Sequence, residues 1–235
     1  MKKQITDQLQ LNITNLYCCQ AAISLANQMF LAILARASNW RFDFASGQLS
    51  FDNQYRWHSQ VLGTESFESN TWLWAWANEA SNIPASLVGS AHVMRMLGEV
   101  QGFPELTEPE VSLDRIDGHT IAMIASSVCQ ANAYYRCPYE GGALYVLIMD
   151  DNFPKDPTPP LARLATVFPQ AISSLDIPDH RLALTGYLDY HGLAYEQIGD
   201  RVVAKENGEP ALTATFDHLN RLTNLEATIK PRSET

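Results

Sequence analysis

Basic residues never gather in this sequence. Its 16 Lys and Arg face 26 Asp and Glu, for a formal net charge of −10, and no run brings even four of them together. Binding to a nucleic-acid backbone or to an anionic membrane draws on a basic patch, so neither is expected. The charge favours a basic protein as partner instead. Cysteine is scarce as well. Cys18 and Cys19 are adjacent, and neighbours on a helix point about 100° apart, which makes them a poor pair of ligands. Cys129 and Cys137 miss the spacing of a zinc site, so all four thiols are expected to be buried in the core. His58, His92, His119, His180, His191 and His218 are dispersed and form no metal-binding pattern. No nucleophile elbow, phosphate loop or dinucleotide fingerprint occurs either. On these grounds no catalytic residue, metal or cofactor is expected.

Long apolar runs are also missing. The most apolar stretch, Ala21 to Ala37, is broken by Ser24, Asn27, Gln28 and Arg36, short of the roughly 20 unbroken residues of a membrane span. The opening MKKQITDQLQLN turns polar after two lysines, unlike a signal peptide. A soluble, cytoplasmic chain with no membrane contact is expected. Apolar residues still make up 46% of the 235, enough to build a core.

What is present is a change of period along the chain. Residues 4 to 37 read as one long helix, with Leu9, Ile13, Leu16, Ile23, Phe30 and Leu34 on one face. WRFDFASGQLSFD then alternates and turns at Ser46-Gly47, a hairpin. YRWHSQVLG predicts a third strand, GTESFESN a loop, and TWLWAWA a fourth strand. A helix is predicted after Pro84, with Gly98 and Gly102 at its end, and another from about His119 to Tyr135. CPYEGG reads as a turn, and ALYVLIMD as a strand buried on both faces. Two shorter helices, Leu161 to Leu175 and Asp179 to His191, precede a second meander. The fold class is therefore α+β, with a long N-terminal helix and further helices on antiparallel meander sheets. Residues 1–229 are expected to form one unit, with the proline-rich segment 151–160 as the place where it would divide into 1–150 and 161–229; 230–235 is a tail.

Three indoles at alternate positions, Trp72, Trp74 and Trp76, would stand about 6.8 Å apart on a strand, a spacing that suits a stacking platform or an aromatic pocket. The opposite face, Leu73, Ala75 and Ala77, is apolar too, so the row reads first as a core wall. If a ligand is held, Trp57, Trp72, Trp74 and Trp76 would wall the cleft, Asn78 would stand at its end, and Asp43, Glu65 and Arg136 would supply polar groups. Glu65 and Glu68 lie together on the GTESFESN loop, where acids are ordinarily just solvated.

NWRFDFASGQLSFD, HSQVLGTES, TWLWAWANEASNIP and YYRCPYEGGALYVLI together resemble a bacterial family of uncharacterised proteins, defined only as a domain of unknown function. Its pattern looks like W-x-x-D-x-x-x-G-x-L-x-F, L-G-T-x-S and T-W-x-W-A-W-A-N. The later TATFDHLNRL is similar to that family's F-D-x-x-G-R-L ending, with Asn220 in the glycine position; Asn tolerates a left-handed turn. The resemblance implies no activity, cofactor or site residue. The expectation is a non-enzymatic interaction module, of the immunity type, taking a basic protein. The alternatives are a small-ligand-binding protein or enzyme with a cleft beside the Trp strand, or a homodimer paired through the long helix.

Overall fold

The computed structural model describes residues 12–36, 38–52 and 54–228. The first turns expected for the long helix, with Leu9, and the tail at 230–235 lie outside the described residues. Asn12 caps helix α1 (Ile13–Ala35) by accepting the Asn15 amide at 2.8 Å. At 23 residues α1 is long and apolar enough to cross a bilayer by length and composition. Much of its apolar surface meets the rest of the fold, although Ile33 is exposed. Leu16, Leu31 and Ala35 join one core, while Cys18, Ala21, Ala22, Ile23 and Ala26 join a second. The single apolar face expected is thus too narrow: a helix set between two layers is apolar nearly all round.

The first layer is a seven-stranded antiparallel sheet around one long strand. β1 (Trp40–Asp43), β2 (Gln48–Phe51), β3 (Tyr55–Ser66), β4 (Thr71–Trp74) and β5 (Glu110–Ser112) follow one another, and β6 (Ala133–Tyr139) and β7 (Gly142–Ile148) pair onto β3 through β7. β2 pairs with residues 55–58 of β3, and β4 with residues 63–66. Helix α2 (Gly89–Gln101), the one-turn α3 (Pro104–Thr107) and α4 (Gly118–Val128) cover the sheet, and α4 joins it to α1. Gly102 ends α2 with φ +74°, and Gly98 lies so close to Leu106 that an added methyl would sit 2.7 Å from that residue's Cβ.

Four predicted elements are corrected. GTESFESN is a loop only in its second half, since residues 63–66 belong to β3. TWLWAWA is not one strand: β4 stops at Trp74 and residues 75–77 form a 3-10 turn. Pro109, whose carbonyl accepts the Trp74 amide at 3.1 Å, has no N–H with which to continue that ladder. The helix expected from His119 to Tyr135 ends at Val128, because Gln130 adopts a left-handed φ of +55° and the Ala131 amide turns back to the Ser126 carbonyl. Tyr134 and Tyr135 therefore fall in β6. The CPYEGG turn shrinks to Glu140-Gly141, and Pro138 sits in β6, an outer strand where a missing N–H is tolerated.

The second layer comprises α5 (Pro160–Ser174), α6 (His180–Tyr190) and a four-stranded sheet in the order β11-β10-β9-β8: β8 (Tyr195–Ile198), β9 (Arg201–Glu206), β10 (Glu209–Phe216) and β11 (Leu222–Ala227). Gly186 lets α6 meet α1 at backbone distance: a methyl there would stand 2.5 Å from the Cys19 carbonyl oxygen. The 151–160 segment is tied down at its start, where Asp150 accepts the His58 amide at 2.8 Å and Phe153 packs 4.7 Å from Trp57. Asn220 takes the left-handed conformation, φ +59°, and its amide also donates to Asp179 at 2.8 Å.

Acid should loosen this second layer first. His180 Nδ1 accepts the Leu222 amide at 3.0 Å, which requires the neutral ring. Burial lowers its pKa below the ordinary 6.5, against the pull of Asp179 and Asp217 and with help from Arg221; burial lowers His191 in the same way. A folded pKa below the unfolded one means that the unfolded chain takes up the proton first. The stability is therefore complete above about pH 6.5 and falls as the pH drops from there toward the folded value. The urea midpoint should fall between pH 7.5 and pH 5.5, and more shallowly in His180→Asn, whose carbonyl accepts the same amide at either pH. An equal slope in that variant would remove His180 from the account.

Candidate functional site

On β3 the alternation that buries Trp57, Ser59 and Val61 does not stop there. After a bulge between Val61 and Gly63 it resumes, and Glu65 points into the fold. Gly63 leaves the space that the Trp72 ring fills, and Gly142 brings β7 against the Glu65 carbonyl; a methyl at either place would strike those neighbours. The buried carboxylate is fully engaged. Arg136 Nε and Nη2 both donate to Oε1, at 2.8 and 2.6 Å, and the Tyr145 hydroxyl donates to Oε2 at 3.0 Å. Gly118 opens α4 beneath them, where an added methyl would lie 2.8 Å from Oε2. Burial, and then Glu65, hold the Tyr145 phenol far above its ordinary value of 10. This tie joins β3, β6 and β7 through charge-assisted bonds.

The cluster reaches the surface in two directions. At the turn end, the Arg136 guanidinium lies 5.7 Å from the centre of the Phe67 ring, and the Tyr139 hydroxyl donates to the Glu65 carbonyl at 3.4 Å. Phe67 is 57% and Tyr139 50% exposed, and Glu68 and Glu140 on the adjoining turns are exposed beside them. In the other direction, His119 packs its ring edge-on to Tyr145 at 5.5 Å and shares a 3.1 Å hydrogen bond between Nδ1 and the Tyr134 hydroxyl. His119 also lines a cleft of about 450 Å³ with Tyr17, Asp117 and Asp176, between α1, the start of α4 and the loop after α5. Burial first, then Cys18, Asp117 and Asp176, push the Tyr17 phenol up to about 12. Both Asp117 oxygens are held by Thr120, at 2.9 and 2.8 Å, so this carboxylate caps α4.

Of the residues singled out from the sequence, the fold brings Glu65, Arg136 and Trp72 together, with Trp72 paired across from Glu65 and 5.3 Å from Tyr145, keeps Trp74 beside Trp72, and disperses the others. Trp72 and Trp74 are fully buried, edge to face at 5.5 Å, and Trp74 Nε1 donates to the Glu105 carbonyl at 3.0 Å. Trp76 leaves their row in the 3-10 turn, with Arg95 stacked 4.5 Å over its ring. Trp57 belongs to another aromatic nest, with Phe51, Tyr55 and Phe153. Asn78 caps the next turn by accepting the Ser81 amide. Asp43 sits in the β1–β2 turn, bonded to Ala45 and Ser46; its pair Gln48 lies opposite His58, seven residues and roughly 23 Å along β3 from Glu65. Tyr145 was not singled out. It had one signal, as the hydroxyl-bearing residue in an otherwise aliphatic strand, since a buried phenol needs a partner.

Burial raises all four thiols, Cys19 to about 11 and Cys137 to about 12, which disfavours the thiolate form at each. Cys19 and Cys129 are only half-buried, less than the sequence suggested. Among the described residues no group of three or more His, Cys, Asp or Glu is placed to hold a metal.

No curated protein and no solved structure matches this chain. The model of a family of unknown function, DUF6882, matches residues 14–151, a span that includes α1 to α4, the seven-stranded sheet, Glu65, Arg136 and Tyr145. The second layer, with the TATFDHLNRL likeness, lies outside it. A match over more than half of its length makes this chain a member of the DUF6882 family.

Proposed function

We propose that this protein is a non-enzymatic interaction module that takes a basic protein on the face formed by Phe67, Tyr139 and Arg136, as a cytoplasmic protein of the immunity type would. One observation carries the reading: the half-buried Arg136 lies against the open Phe67 ring, on the strand that also bears the open Tyr139 ring, while its charge is already answered by Glu65. Aromatic and arginine side chains held rigid are the usual anchors of protein interfaces. With Arg136 compensated, the field at this face is set by Glu68 and Glu140, which are in no ion pair among the described residues, and by the chain's charge of −10. Such a rim attracts a basic partner and speeds its approach at low salt.

The test is capture from the host lysate at low and high salt with the wild type, Phe67→Ala and Glu68→Lys/Glu140→Lys. All three substitutions are on exposed side chains, so the melting temperature should stay within a few degrees. Capture of a basic protein that weakens with salt and falls at least about tenfold in both variants is the expected result. Equal capture by all three would remove this face from the account.

The small-ligand reading rests on a different observation, the 450 Å³ cleft with Tyr17, His119 and Asp176 on its wall. With Trp72 and Trp74 fully buried, a ligand would meet that cleft and not the indoles.

A further inference from the structure

The 450 Å³ cleft between α1, the start of α4 and the loop after α5 has walls of two kinds. Ile13, Ile116, Met123, Leu175 and Pro178 make one of them apolar, with Ile116 and Met123 buried. The other carries two exposed carboxylates, Asp117 and Asp176, and the half-buried Tyr17. Asp176 takes part in no hydrogen bond or ion pair among the described residues, and neither does the Tyr17 hydroxyl. Each layer supplies one carboxylate, Asp117 from the first and Asp176 from the second, so the cleft is complete only where the layers meet.

The charge inside this cleft has one sign. Arg115 is in the lining, but its guanidinium is already answered outside it: Nη1 donates to Glu108 at 2.6 Å and Nη2 to Glu105 at 3.3 Å. The negative field reaches Tyr17, whose phenol is held up by Asp117 and Asp176 after burial and Cys18. An anion would meet both carboxylates. The N-terminus of α4, which could otherwise draw an anion, is capped by Asp117 itself, accepting the Thr120 amide at 2.9 Å. A bare metal ion finds too few ligands, since no group of three or more His, Cys, Asp or Glu is placed to hold one among the described residues. A neutral apolar molecule would use one wall and draw water away from the carboxylates without answering them. An organic cation uses both walls.

We propose that this cleft binds a small organic amine in its ammonium form, the nitrogen in the field of Asp117 and Asp176 and the hydrocarbon body against Ile116, Met123 and Leu175. An ammonium group brings several N–H donors, and the Tyr17 oxygen is a neutral acceptor left open beside the two carboxylates. The volume lies within the range of cavities that hold small molecules. This assignment rests on the small-ligand reading of the cleft, to which it gives a ligand class, and involves none of the residues of the Phe67–Tyr139 face.

The methyl signals of isotope-labelled methionine test it in the full chain, because Met123 lines the cleft while Met96 is exposed on α2, outside the lining. Three probes of nearly one shape and different charge are titrated at low salt: 2-phenylethylamine, 2-phenylethanol and phenylacetate. The amine should move the Met123 signal and leave that of Met96 in place, with a Kd on the order of 1 mM for a ligand of this size. It should bind at least about fivefold more tightly than the alcohol or the acid. Asp176→Asn removes a charge that no contact of the fold uses, so its melting temperature should match the wild type. That variant should bind the amine about threefold more weakly and the alcohol as before. Phenylacetate or the alcohol binding as tightly as the amine overturns the amine assignment and leaves the cleft a small-ligand site, and so does unchanged amine affinity in Asp176→Asn. A Met123 signal unmoved by all three probes at about 10 mM overturns the assignment and the small-ligand reading together.

Discussion

Glu65→Ala should cost roughly 3–5 kcal/mol of stability, measured by urea unfolding, against the 5–15 kcal/mol that holds a typical domain. The loss comes less from the missing attraction than from what is stranded. Arg136 Nε and Nη2 would lose their shared acceptor in a half-buried setting, and the Tyr145 hydroxyl would be left unpaired in the core. Glu65→Gln keeps the shape and one acceptor, which serves either Arg136 or Tyr145 but not both, so its cost should fall between. Arg136→Met strands the carboxylate instead. The informative variant is the double one, Glu65→Met/Arg136→Met. If desolvation governs the cluster, it should be less destabilised than either single methionine substitution, because no buried charge remains to be answered. Additive losses would mean that the bonds themselves, and not the stranded groups, dominate. A single-variant cost under about 1 kcal/mol would place Glu65 in the class of surface ion pairs and overturn its role as the tie between β3, β6 and β7.

The reach of sequence reasoning ended at the places where tertiary packing overrides a local signal. The hairpin WRFDFASGQLSFD and the second meander were legible because their turns carry Gly47, Gly199 and Gly208, all with positive φ. The end of α4 was not, because the left-handed position is held by Gln130, a residue type that seldom marks a helix end. Two tyrosines were thereby assigned to a helix that stops before them, and one of these, Tyr134, bonds His119. Glu65 was assigned to a loop because GTESFESN is polar. The strand in fact runs on past a bulge that reverses its faces: Gly63 and Glu65 pair with Tyr145 and Ala143, on the face opposite Trp57, Ser59 and Val61, and a carboxylate buried there demands a cation. That cation, Arg136, is 71 residues away in sequence and reaches Glu65 through the pairing of β6 with β7 and of β7 with β3. The two partners were each visible in the sequence, and their meeting was not.

The indoles give the second large expected effect, and it separates a core wall from a binding platform. Trp72 stands edge to face with Trp74 at 5.5 Å and with Tyr145 at 5.3 Å, over the space that Gly63 leaves free. Trp72→Ala should cost about 3–5 kcal/mol, since the sheet and α4 cannot close around a cavity of that size. Rings that served mainly to hold a ligand would lose binding on truncation and keep the melting temperature. The phenylalanine variants sharpen this. Trp72 Nε1 is buried with no hydrogen-bond partner among the described residues, so Trp72→Phe removes a donor that contributes nothing to the folded state. Trp74 Nε1 donates to the Glu105 carbonyl and pins α3 to β4, so Trp74→Phe leaves a carbonyl unanswered. Trp74→Phe should therefore be the costlier of the two by about 1 kcal/mol, although the rings are equally buried and the volume removed is the same. The reverse order in urea unfolding would mean that Trp72 Nε1 has an acceptor in solution, an ordered water being the chemistry that fits. In the expected order the row of three consists of a packed ring, Trp72, a hydrogen-bonded ring, Trp74, and a third, Trp76, held on the outside by Arg95.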